Sequence, residues 1–146
     1  MAFETLREVS RRVVTREMCD ALGHMNIQYY FAILGEGVFN IMTLLGEPLA
    51  NISELKSAFV LHKEESEFLQ EIHEGDEIYL ATAIEHIGSK SLILQHRILK
   101  AENDQELFRS RFVTVNMDLN TRTSTPFSEE FKTLAVKELP AYQPET

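Results

Sequence analysis

"CDALGHMNIQYYFAILGEGVFNIMTLLGEP" runs from Cys19 to Pro48, and its two halves read differently. From Gln28 onward, Phe31, Leu34, Val38, Ile41 and Leu45 recur at steps of three and four, the spacing of one helix face. Gly46, with Pro48 just beyond it, supplies a stop. The pattern predicts a helix over Gln28–Leu45, with Asn26 as a suitable N-cap. Gly35 and Gly37 inside it cost about 1 kcal/mol each relative to alanine, so close packing against a sheet or a partner chain is expected to offset them. The half before the helix packs Asp20, Gly23, His24 and Asn26 into one short loop.

Outward from this helix the chain is rich in strands. Val9–Met18, with its β-branched residues, reads as a first strand. Residues 47–56 read as a loop with short helical or irregular structure. Strands are then expected at Ser57–Leu69, Glu77–Gly88, Ser91–Ala101 and Leu107–Asp118, separated by the turns "HEGD", "GSK" and "AENDQE". Ser128 before Glu129 and Glu130 marks a short capped helix. Strand, long helix, then about four consecutive antiparallel strands in a meander is α+β: one apolar helix on one face of a curled sheet. One helix covers only part of such a sheet, so dimerisation is expected.

Size and composition narrow the function classes. The 146 residues suit one domain, 1–146. The net charge of −9 argues against the basic face that nucleic-acid binding needs, though not against a few local cations gripping a small anionic ligand. A single cysteine, Cys19, forms no internal disulfide and fits a reducing compartment. There is no apolar leader and no run of the ~18 apolar residues that a membrane span needs. The expectation is a cytoplasmic protein that binds neither nucleic acid nor membrane.

Each loop residue alone has an ordinary structural reading: Asn26 as cap, Asp20 and Gly23 as turn formers, His24 as a loop histidine. Together they hold more chemistry. The start of a long helix presents unpaired N–H donors and partial positive charge, which can polarise a carbonyl and hold a developing oxyanion. A carboxylate one short loop away can attack that carbonyl or activate water. Glycine lets the backbone between them turn tightly against a ligand. This is the minimum equipment for hydrolysing an acyl group.

Asp20, Gly23, His24, Asn26 and Tyr30 also fit a pattern Asp-x-x-Gly-His-x-Asn-x-x-x-Tyr. That pattern, followed by a long helix, resembles the acyl-CoA thioesterases of the hotdog fold, in the 4-hydroxybenzoyl-CoA thioesterase-like branch. "HKEESEFLQEIHEGDEI" and "VNMDLNTRTSTPFSEEF" resemble later passages of the same family, so the likeness covers about residues 8–135. The resemblance implies a helix wrapped by an antiparallel sheet, and a homodimer or homotetramer with sites between subunits. Asp20 would be the catalytic carboxylate, as nucleophile or general base. The backbone N–H of Ile27, or of a neighbour such as Gln28, would polarise the thioester carbonyl. Asn26 would position the site or the lytic water, with Gly23 and His24 beside it and Tyr30 among the substrate-binding residues.

A thioester is already activated and coenzyme A thiolate leaves readily, so no cofactor or metal is expected. The histidines show no ligand spacing, and Cys19 reads as structural. Coenzyme A phosphates need local cations. Lys90, with Ser89 and Ser91 beside it, is the first candidate, ahead of Arg97, Arg109, Arg111 and Arg122, all of which also suit a solvated surface. Glu64 and Glu65 read as an exposed strand face, or as carboxylates reaching a site from a partner subunit. Two rivals stand beside hydrolysis: a non-catalytic acyl-CoA or acyl-carrier-protein binding module, and an enoyl-thioester hydratase, for which Asp20 and His24 are poorly arranged.

Overall fold

The computed structural model describes residues 5–144; the other residues of the expected domain lie outside that description. Its elements are β1 (Arg7–Val13), α1 (Ile27–Leu44), β2 (Ser57–Phe68), β3 (Glu77–Ile87), β4 (Ser91–Lys100), β5 (Glu106–Asp118) and α2 (Glu129–Glu138). Five antiparallel strands form one sheet in the order β1-β3-β4-β5-β2. The architecture is α+β, one long helix against a curled sheet.

The expected four-strand meander is corrected. Only β3, β4 and β5 pair in succession; β2 crosses to the far edge and pairs with β5, from Ser57 opposite Asp118 to Phe68 opposite Phe108. The segment after β2 is a crossing rather than a hairpin. Ile72 accepts the Met25 N–H at 2.7 Å, and Asp76 accepts the Val14 N–H at 2.8 Å. That path runs along one end of the sheet, past the loop that precedes α1. The first strand also stops early, at Val13, because Arg16–Met18 forms a 3-10 turn that drops Met18 into the core.

Asn26 caps α1 as expected, accepting the Gln28 N–H at 3.0 Å. Gly46 follows the helix at φ +80, a left-handed conformation that favours glycine. The buried face is Tyr30, Ile33, Leu34, Gly37, Ile41 and Met42. Phe31, expected in that face, is 37% exposed. The helix start is apolar around more than one stripe, so spacing alone does not select the side that packs. The two helix glycines also part company. A Cβ on Gly37 would stand 2.2 Å from Leu80 Cδ2, a close approach only glycine allows, whereas nothing lies within 4 Å of one on Gly35.

Helix α2 is capped by Ser128, which accepts the Phe131 N–H at 3.1 Å, and it packs Phe131 on Phe127 and Phe59. Leu34 and Ile41 of α1 meet Leu80, Leu94, Ile98 and Phe108 of the sheet in one core, all fully buried. Among the described residues no helix is long and apolar enough to cross a membrane.

Candidate active site

The loop before α1 is fixed by its own backbone. Asp20 N–H donates to the His24 carbonyl at 3.2 Å, and Gly23 N–H donates to the Asp20 carbonyl at 3.0 Å. Gly23 sits at φ +87, where a side chain would be strained. A bridge between Cys19 and Met25 closes the loop, and Asn26 N–H donates to the Met18 carbonyl at 2.8 Å. These bonds hold Asp20 and the helix start together.

The Asp20 carboxylate accepts from Asn26 Nδ2 at 2.8 Å on one oxygen and from the Leu22 N–H at 2.9 Å on the other. The Asn26 bond, then the Leu22 bond, hold the carboxyl below the usual aspartate value; partial burial opposes them and the nearby His24 assists them. Asp20 is therefore an anion at neutral pH. Asn26 works in two directions, because its amide nitrogen holds Asp20 while its oxygen takes the Gln28 N–H. Ile27, the first helical residue, has no intrahelical acceptor for its own N–H. Of the two expected carbonyl-polarising donors, Gln28 is engaged with Asn26, which leaves Ile27.

An open pocket of about 330 Å³ adjoins this helix start, lined by His24, Met25, Ile27, Tyr30 and the run Phe68–Glu71. The Tyr30 ring stands edge-on to Phe68 at 4.9 Å and tilts against Phe108 at 5.0 Å. Burial first, then the Glu71 charge, raise the Tyr30 phenol. His24 Nδ1 lies 3.3 Å from the Met25 carbonyl. Asp20 stands beside this wall rather than on it. Phe68–Glu71 had no signal in the local sequence, because only the crossing of the chain after β2 brings them to the helix start. Among the described residues no three His, Cys, Asp or Glu side chains could hold a metal.

A family model described as the thioesterase-like superfamily matches residues 13–134. The chain belongs to that superfamily. With the family goes the class, a thioesterase-like hydrolase of the hotdog fold. Solved structures share the fold of this thioesterase-like chain. A predicted thioesterase from Bacillus stearothermophilus is 20% identical, with a TM-score of 0.82 over 96% of this chain and 99% of that one. A hypothetical protein from Staphylococcus aureus, solved in complex with CoA, is 22% identical, with a TM-score of 0.85 over 96% and 89%. A 1,4-dihydroxy-2-naphthoyl-CoA thioesterase from Synechocystis is 21% identical, with a TM-score of 0.75 over 86% and 93%. A search of curated proteins finds no match.

The remaining candidates of this thioesterase-like chain stand away from Asp20. Lys90 lies in the β3–β4 turn and Ser91 opens β4; the Lys90 carbonyl accepts the Asn116 N–H at 2.8 Å. That turn is at the opposite end of β3 from the Asp20 loop, about 35 Å along the sheet at the usual rise per strand residue. Glu65 lies on β2 opposite Arg111 and pairs with Lys63 at 3.3 Å. Arg97 and Arg109 both meet Glu106, and Arg111 meets Glu85.

Proposed function

We propose that this chain hydrolyses an acyl-CoA thioester to the free acid and coenzyme A. The observation that carries the reading is Asp20, held ionised by Asn26 directly before a helix start whose first residue, Ile27, lines the pocket. The thioester carbonyl oxygen accepts the Ile27 N–H, and the helix dipole favours the charge that develops there. Either the Asp20 carboxylate attacks the carbonyl carbon, or it takes a proton from water that attacks instead. The C–S bond then breaks and coenzyme A leaves as thiolate, which is protonated. In the first route water cleaves the acyl–Asp20 anhydride; in the second the acid forms directly. In single turnover in oxygen-18 water, label found in the Asp20 carboxylate establishes the first route, with water attacking the Asp20 carbonyl of the anhydride.

The proposal includes a homodimer as the working unit. Lys90, Ser91 and Glu65 contribute to the Asp20 site only if a second chain supplies them, and β2, the strand that carries Glu65, is an edge of the sheet. The Staphylococcus aureus relative solved with CoA supports the ligand class. The test is thiol release from a panel of acyl-CoAs, with mass in solution measured alongside. Acyl-CoA binding without thiol release would replace hydrolysis with a binding role.

A further inference from the structure

Tyr30 follows Ile27 by three residues, on the same face of α1. Side chains of a helix lean toward its N-terminus, so the Tyr30 ring reaches back over the turn that begins at Ile27. Two other rings clasp it, Phe68 edge-on at 4.9 Å and Phe108 tilted at 5.0 Å, and these two meet each other at 5.1 Å. The three rings make one cluster at the inner side of the pocket. The Tyr30 oxygen is the only polar side-chain atom in it.

That oxygen has no structural employment. Only 4% of Tyr30 is exposed, yet its hydroxyl forms no hydrogen bond among the described residues, and it is not sealed off from solvent. Glu71 lines the same pocket and its charge acts on the phenol, so the hydroxyl end of the ring is the end turned to that space. Burial and the Glu71 charge both raise the phenol, which therefore stays a neutral O–H donor through the neutral pH range. The burial does not depend on the open edge of β2, because one chain alone covers Tyr30 and wholly covers Phe108. Phenylalanine would serve the ring packing as well. A buried donor without a partner inside the chain is costly unless something else fills its bond.

Resting on the acyl-CoA reading above, we propose that the acyl group carries an uncharged oxygen, hydroxyl or carbonyl, at the third acyl carbon, and that this oxygen accepts the Tyr30 O–H. The thioester carbonyl is held at Ile27, and residues three apart on a helix have Cβ atoms about 5–6 Å apart. An oxygen two carbons from the thioester carbonyl falls within that reach. Glu71 on the same pocket repels an acyl carboxylate, which is why the oxygen is uncharged. A plain alkyl chain would strip water from the phenol and return no acceptor, and that penalty separates the substrates.

The test compares butanoyl-CoA, 3-hydroxybutanoyl-CoA, 3-oxobutanoyl-CoA and succinyl-CoA, by kcat/KM and by calorimetric binding, for wild type, Tyr30→Phe and Tyr29→Phe. Tyr29 is outside the pocket lining, so its variant controls for loss of a neighbouring hydroxyl. Wild type and Tyr29→Phe are expected to favour the better of the two 3-oxygenated chains over butanoyl at least about 10-fold, with succinyl the poorest. Tyr30→Phe keeps the ring contacts, and in it that ratio is expected to fall to near one. Equal or better use of butanoyl by wild type, succinyl as the best substrate, or an unchanged ratio in Tyr30→Phe overturns the proposal while leaving hydrolysis standing. The last is also the result if a second chain, rather than the acyl group, supplies the acceptor. Absence of thiol release from all four overturns hydrolysis instead, and the calorimetric ratio then still decides the role of Tyr30.

Discussion

Asp20 lies in a loop where two N–H donors, from Asn26 and Leu22, reach its carboxylate. His96 lies mid-sheet, with Thr82 Oγ1 at 2.8 Å from Nδ1 and nothing at Nε2. Both are moved from their ordinary protonation behaviour, for opposite reasons. Hydrogen bonds that favour the charged form lower Asp20; burial that forbids the charged form brings His96 down to about 3, with the Arg97 charge adding to it. Asp20 is built to stay charged next to a pocket, and His96 to stay neutral inside the core. Here location separates them: Asp20 stands in the loop beside the pocket, whereas His96 is shut away from solvent.

The comparison breaks first at Asp20. Asp20→Asn keeps the shape and the Leu22 contact but removes the charge. Acyl-CoA hydrolysis is expected to fall at least about 100-fold, the usual loss for an acid–base group, with thermal stability close to wild type. Full activity in that variant would remove Asp20 from the chemistry.

His96 is tested through stability. The unfolded chain protonates this residue near the ordinary histidine value of about 6.5, whereas the folded chain resists until about 3. Folding stability should therefore drop as pH falls below about 6.5, by up to ~1.4 kcal/mol per pH unit from this group. In His96→Gln that contribution should vanish, which denaturant melts of both proteins between neutral pH and pH ~4.5 would show. Parallel curves would mean that His96 is protonated in the folded chain.

Asn26→Ala is the smallest of the three and acts on both link and cap. Losing the N-cap should cost about 1 kcal/mol. Losing the bond to Asp20 should move that carboxyl back up toward its ordinary value. The acid side of the kcat/KM profile, which in wild type should lie below the usual aspartate range, would then shift to higher pH. A cap loss without that shift would mean Asn26 does not tune Asp20.

The elements were legible because their signals are local. The α1 stripe, its Asn26 cap and its Gly46 stop, and strands β3 to β5, need only neighbours in sequence. The place of β2 was not, since pairing Ser57 with Asp118 or Phe68 with Phe108 depends on long-range register that no turn announces. The same holds within the candidate site. Asp20, Gly23, His24, Asn26 and Ile27 lie in one short stretch and could be gathered by eye. Phe68–Glu71 reach the pocket only through the crossing past Met25.

The strand order also bears on how the molecule is assembled. The β3, β4 and β5 hairpins close over short turns, whereas β1 and β2 each join the sheet across a long stretch of chain that includes α1 or most of the meander. Closing such long loops carries the larger entropic cost and slows folding relative to local pairing. The Asp20 loop hangs between β1 and α1 and is clamped at Met25 by the strand-crossing segment after β2. Its geometry therefore exists only once both edges have docked. Hydrolytic competence, recovered after dilution from denaturant, would report the completion of the fold rather than its beginning.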